Sequence, residues 1–189
     1  MNSRLTTLIA SVTLTLLAIP NFASADSLYL SEGQWTTHQD KSIKVSEFKG
    51  QPRVLTMIFT RCPSACPMII NDLKKIERAL TPAARKKVRF TVMSFDSKND
   101  TPEALRAFAS KMKLGDNWDL LVANEADTRE MAALLNVQYK QIPSGEFVHS
   151  NWVHAVDAEG QLLKSREGLG QPGEELARLL NQSLLPTKR

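Results

Sequence analysis

Cysteine is nearly absent from this 189-residue sequence, which contains only Cys62 and Cys66. Two are too few for a disulfide-framework mini-protein, so whatever they do, they do locally. No block of one charge sign occurs either. Lys and Arg number 24 against 20 Asp and Glu, a formal +4 scattered along the chain, and that leaves no footprint for nucleic acid. Gly 8 and Pro 9 are ordinary, with 42% hydrophobic and 23% charged residues. Collagen-like, low-complexity and wholly disordered classes are excluded. There is no internal repeat and no Pro/Gly/Ser-rich linker, and no serine sits in a nucleophile elbow.

Beyond the N-terminus no apolar run is long enough to span a membrane. At the N-terminus, Arg4 precedes an apolar stretch over residues 5–20, followed by Ala23-Ser24-Ala25 before Asp26. The stretch is shorter than the roughly 20 residues of a spanning helix, and the small-residue pattern is that of a signal-peptide cleavage site. The expectation is a signal peptide over 1–25 and a single exported domain over 26–189. That domain is periplasmic and soluble after cleavage, with no stable span left. In an oxidising compartment two nearby thiols are expected to form a disulfide unless a reductant or a metal holds them.

Past a polar lead-in, residues 53–60 form a short apolar run rich in β-branched residues, a buried strand. Ile69, Leu73, Ile76 and Leu80 then recur at the helical period, with Asn71, Asp72, Lys74 and Lys75 on the other face. Residues 88–95 alternate as a strand. Asp100-Thr101-Pro102-Glu103 starts a helix, with Pro102 just inside it and Glu103 placed to close a capping box if Asp100 is the cap. Residues 118–122 make a third strand and 128–135 a short helix. Residues 148–157 and 161–165 read as a hairpin around Ala158-Glu159-Gly160, and Leu176, Leu179, Leu180 and Leu184 stripe a closing helix. This order predicts one α/β domain, a central mixed sheet flanked by helices.

Gly168-Leu169-Gly170-Gln171-Pro172-Gly173 matches a dinucleotide fingerprint, but too little chain follows for the second strand and ribose-binding acid. It reads as a loop before a helix. His38, among Thr, Gln and Asp, reads as a solvated side chain.

Cys62 and Cys66 lie three residues apart where a strand delivers the chain to a helix. Pro67 follows Cys66, which predicts Cys66 at the helix cap, where free N–H groups and the dipole favour thiolate. A structural disulfide would close only a short loop and stabilise modestly. A redox pair of the usual thioredoxin kind has two intervening residues, whereas three let both sulfurs face one ion. Two thiolates suit Cu(I), and an added imidazole suits Cu(II) as well. Of the histidines, His149 and His154 are five apart. On one strand they would point to opposite faces, so one of the two would face the cysteines. His149, beside Pro143-Ser144-Gly145, is favoured.

The run from Phe59 to Pro67 resembles the signature of the Sco/SenC copper chaperones, a thioredoxin-like family with a Cys-x-x-x-Cys-Pro loop. Residues 95–102 resemble its second block, with Ser97 where the family usually has Pro. His149, with Glu159-Gly160 after it, is similar to the third. The resemblance implies a thioredoxin-like fold and a copper ion held by Cys62, Cys66 and His149, with Asp96 nearby but not a ligand. It also implies delivery to an acceptor cuproprotein such as a cytochrome c oxidase subunit with its binuclear copper centre. The rival is a thiol–disulfide oxidoreductase, with Cys62 attacking a partner disulfide and Cys66 resolving. A peroxidase is the weakest reading, left open by Arg61 alone.

Overall fold

The computed structural model describes residues 27–185, so the expected signal peptide and its cleavage point lie outside the described residues. The chain runs β1 (Gln34–Thr37), β2 (Ser42–Lys44), β3 (Arg53–Ile58), α1 (Ala65–Ala79), α2 (Pro82–Arg85), β4 (Arg89–Ser94) and α3 (Pro102–Lys111). It continues through β5 (Trp118–Ala123), α4 (Glu125–Leu134), β6 (Tyr139–Gln141), β7 (Phe147–His149), β8 (Trp152–Val156), β9 (Leu162–Glu167) and α5 (Glu174–Ser183). A seven-stranded sheet is ordered β2-β1-β5-β4-β3-β8-β9, with β6 and β7 paired separately. β3, β4 and β5 are parallel, and the outer pairings are antiparallel. This is the expected mixed sheet flanked by helices, a thioredoxin-like arrangement.

All six residues of β3 are buried, as a strand covered on both faces must be. α1 sends Ile69, Ile70, Leu73 and Ile76 into the core, each contributing roughly 1.5–3 kcal/mol of burial. α1 and α5 pack together, while α3 and α4 lie on β5. At the start of the parallel strands, Asp119 pairs with buried Arg53 and with Arg89, both at 2.6 Å, and locks three neighbouring strands in register.

Several sequence expectations change. The polar lead-in contains β1 and β2, each with a single large apolar residue: Trp35, fully buried, and Ile43, half-buried against the core. One large side chain in so short a strand leaves no period to read. Residues 148–157 are not one strand: β7 and β8 belong to different sheets, split at Ser150 and Asn151. Asp72 is 2% exposed rather than solvated, because its carboxylate accepts the Gly170 N–H at 2.7 Å and the Lys75 ammonium at 2.8 Å. That contact gives the glycine-rich stretch its role. A Cβ on Gly173 would stand 2.5 Å from the Ile76 nitrogen, so the glycine lets the start of α5 reach the backbone of α1. α3 is capped by Thr101, whose side chain accepts the Ala104 N–H, and not by Asp100. His38 is half-buried, its Nδ1 accepting the Leu120 N–H at 3.3 Å.

Candidate metal centre

β3 ends at Ile58 and hands the chain to the loop carrying Cys62, which returns at once into α1. The Cys62 N–H donates to the Phe59 carbonyl at 3.3 Å, and the Cys66 N–H donates to Cys62 Sγ at 3.4 Å. Ser64 occupies the cap position of α1, so Cys66 lies one residue inside the helix. The thiolate expectation for Cys66 is thereby reversed. Burial pushes the Cys66 thiol well above its ordinary value, and the nearby Cys62 sulfur adds to the effect. At Cys62 burial also opposes ionisation, but N–H groups of Cys66, Ser64 and Ala65 converge on the sulfur. The net result is a pKa below the usual thiol value. The helix N-terminus therefore serves the residue that precedes it. Cys62 is 9% exposed and Cys66 fully buried, and both are free thiols.

His149 ends β7 and is brought over this loop by the β6–β7 hairpin. Tyr139 pairs with His149 across it, and Gln141 with Phe147. Phe147 and His149, two apart on a strand, face the same side. The imidazole packs on Phe95 at 5.0 Å between centroids and meets Phe59 edge-on at 6.0 Å; Tyr139 stacks on Phe95 at 5.0 Å. His149 Nδ1 lies 3.1 Å from the Ser150 carbonyl. A carbonyl only accepts, so Nδ1 carries the proton and Nε2 keeps a lone pair. That lone pair is aimed at Cys66 Sγ, 3.9 Å away.

Donor atoms of Cys62, Cys66 and His149 all lie within 4.8 Å of one another, the one such cluster of three metal-ligating side chains among the described residues. Donors about 2.0–2.3 Å from a shared ion are spaced in this way. Two sulfurs and one imidazole form a soft set that suits copper in either oxidation state. A cavity of about 570 Å³ lies behind the aromatic wall and is lined by Phe95, Tyr139 and Phe147, though by none of the three donors.

His154 is elsewhere. It sits on β8 opposite Leu55, 3% exposed, with Nδ1 2.8 Å from Ser165 Oγ. It forms part of the floor of a separate groove of about 800 Å³ rimmed by exposed Leu30, Leu134 and Leu162. Burial pushes its pKa down to about 4, against a smaller opposing effect of the Leu135 backbone. Asp96 is buried and accepts from Arg61 Nη2 and Asn99 Nδ2, both at 2.8 Å, as an acid bonding a loop. Neither the aromatic wall nor the role of Asp100 beyond a helix start follows from the local sequence. The Phe-x-His spacing at 147–149 was the available signal for part of that wall.

A model of the SCO1/SenC family matches residues 25–184. The SCO1 protein homolog of Bacillus subtilis is 29% identical over 133 residues, 68% of each chain. The structure of Bradyrhizobium japonicum ScoI with copper bound superposes with a TM-score of 0.70 at 22% identity, covering 82% of this chain and 98% of that one. BsSco, described as having a disulfide switch and as a member of the Sco family of cytochrome c oxidase assembly proteins, gives a TM-score of 0.68 at 24% identity. It covers 81% of this chain and 92% of that one.

Proposed function

The chain belongs to the SCO1/SenC family, and from that membership we propose that it is an exported copper metallochaperone. It holds copper as cargo on Cys62, Cys66 and His149 and passes it to an acceptor cuproprotein, such as the binuclear copper centre of cytochrome c oxidase. The observation that carries this reading is His149 Nε2 turned toward Cys66 Sγ at 3.9 Å, in a cluster whose three donors lie within 4.8 Å. Copper on a homologous fold and an oxidase-assembly role for a relative support it. The small-residue pattern ending at Ala25 supports export to the periplasm. The centre lies where β3 ends and the loop turns into α1, with Cys62 and His149 less buried than Cys66, so these two are the donors an incoming ligand would displace first. Titrating the reduced protein with copper, with and without His149, tests the reading: one tight site that weakens on loss of the imidazole supports it.

The thiol asymmetry favours a second reading, thiol–disulfide exchange. Cys62, the less buried of the two and of lowered pKa, attacks one sulfur of an acceptor disulfide and releases the other as thiolate. Cys66, once deprotonated, then displaces the acceptor from the mixed disulfide. The Cys62–Cys66 bond forms, two electrons pass to the acceptor and both acceptor thiols are freed. Exchange that survives His149→Ala separates the two activities.

A further inference from the structure

We propose that Asp100 is the positioning residue of the cysteine loop: its carboxylate fixes the residues leading into Cys62 and so sets where that sulfur stands relative to Cys66 and His149. The inference rests on the metal-centre reading above and adds the group that aims it.

Asp100 is 3% exposed, in the loop between β4 and α3. Its Oδ2 accepts the Thr60 N–H at 3.0 Å and Ser94 Oγ at 2.5 Å, and its Oδ1 accepts Thr60 Oγ1 at 2.5 Å. Ser94 Oγ in turn accepts the Asp96 N–H at 3.0 Å, and the Asp100 N–H donates to the Asp96 carbonyl at 2.9 Å. Thr60 is thus held at both its backbone and its hydroxyl. Arg61, the next residue, is held by Asp96 at 2.8 Å. Between them they are the last two residues before Cys62. β3 and β4 are adjacent parallel strands, and past their ends the backbone ladder stops; the Asp100 carboxylate takes over the bridging there.

An ionised carboxylate only accepts, and each partner aimed at this one donates. Asparagine at this position has the same shape but turns an NH2 toward one of those donors. One bond is lost and a donor–donor contact replaces it, inside a buried network where partial satisfaction is costly. The loop is then free to shift, and the three donor atoms lose their spacing. Groups that orient metal ligands from behind typically carry about 10-fold to 100-fold in affinity.

The test uses Asp100→Asn, Thr60→Val and Thr60→Ser, with Val88→Ala, buried at the far end of β4, as a control for lost stability alone. Two quantities are read. One is the equilibrium between the metal-free dithiol and its disulfide in a glutathione buffer; the other is copper affinity with the sulfur-to-Cu(II) charge-transfer spectrum. Asp100→Asn and Thr60→Val are expected to move the glutathione equilibrium and weaken copper by about tenfold or more, and to displace the spectrum. Thr60→Ser, which keeps the hydroxyl, restores both, and Val88→Ala leaves both unchanged. Wild-type values in Asp100→Asn and Thr60→Val, or a Val88→Ala variant as impaired as they are, overturn the inference. If the wild type binds no copper, the metallochaperone reading fails, and the glutathione arm still decides the role of Asp100.

Discussion

His149 Nε2 stands 3.9 Å from Cys66 Sγ although 83 positions separate the two residues. The contact joins a helix that follows β3 to a hairpin lying outside the main sheet. Its consequence is a donor set of two sulfurs and one nitrogen. The two oxidation states of copper are expected to respond differently when that nitrogen is lost. His149→Ala should weaken Cu(II) by more than about 100-fold and Cu(I) by less than about tenfold, since two thiolates already satisfy the soft, low-coordinate ion. Cys62→Ser or Cys66→Ser should abolish tight binding of both. Nitrogen hyperfine coupling should vanish in His149→Ala and persist in His154→Ala; the reverse pattern would overturn the ligand assignment.

The two thiols should react in a fixed order. Cys62 is the more exposed and its pKa is lowered, whereas burial raises that of Cys66. In the native reduced protein, iodoacetamide should label Cys62 first at neutral pH, and Cys66 should wait for unfolding. Peptide mapping by mass spectrometry checks the order, and equal labelling at early times contradicts it. Protein purified in air without metal is expected to carry the Cys62–Cys66 disulfide and to show no free thiol until reduced.

His154 should make the fold acid-sensitive. Its folded pKa, about 4, lies below the roughly 6.5 of an unfolded histidine, so the unfolded chain binds the extra proton between those values. The stability due to keeping it neutral is complete above about pH 6.5 and is lost as pH falls toward 4, by about 3 kcal/mol. Denaturant midpoints of the metal-free protein at pH 7 and 4.5 should show that slope, and His154→Gln should flatten it. An unchanged slope in the variant would show that other groups cause it.

Gly173→Ala should destabilise the protein by about 1–3 kcal/mol without altering the metal centre. An added Cβ would approach the Ile76 nitrogen to 2.5 Å and the Lys75 carbonyl carbon to 2.7 Å, and backbone cannot move aside as a side chain can. Thermal unfolding measures the loss, and a melting temperature equal to wild type would sink the packing account of this glycine.

The sequence by itself determined what depends on neighbours along the chain. The strand before Cys62, the helix after Pro67, the three-residue spacing of the sulfurs and the Gly160 turn follow from periodicity and local backbone preference. Tertiary structure decided what depends on partners far away. His149 and His154 look alike in sequence; only the break at Ser150 and Asn151, which puts them in different sheets, sends one to the cysteines and buries the other beside Ser165. Asp100 has the sequence context of a helix cap, and Thr60, 40 positions away, claims its carboxylate instead. Asp72 falls on a polar helical stripe, yet Gly170 draws it into the interior. The thiol whose pKa the helix N-terminus lowers is Cys62 rather than Cys66, because N–H groups project back beyond the first turn onto the residue ahead of it. A polar side chain settles where its donors and acceptors are satisfied, and in a folded chain those are brought together by strands that are distant in sequence.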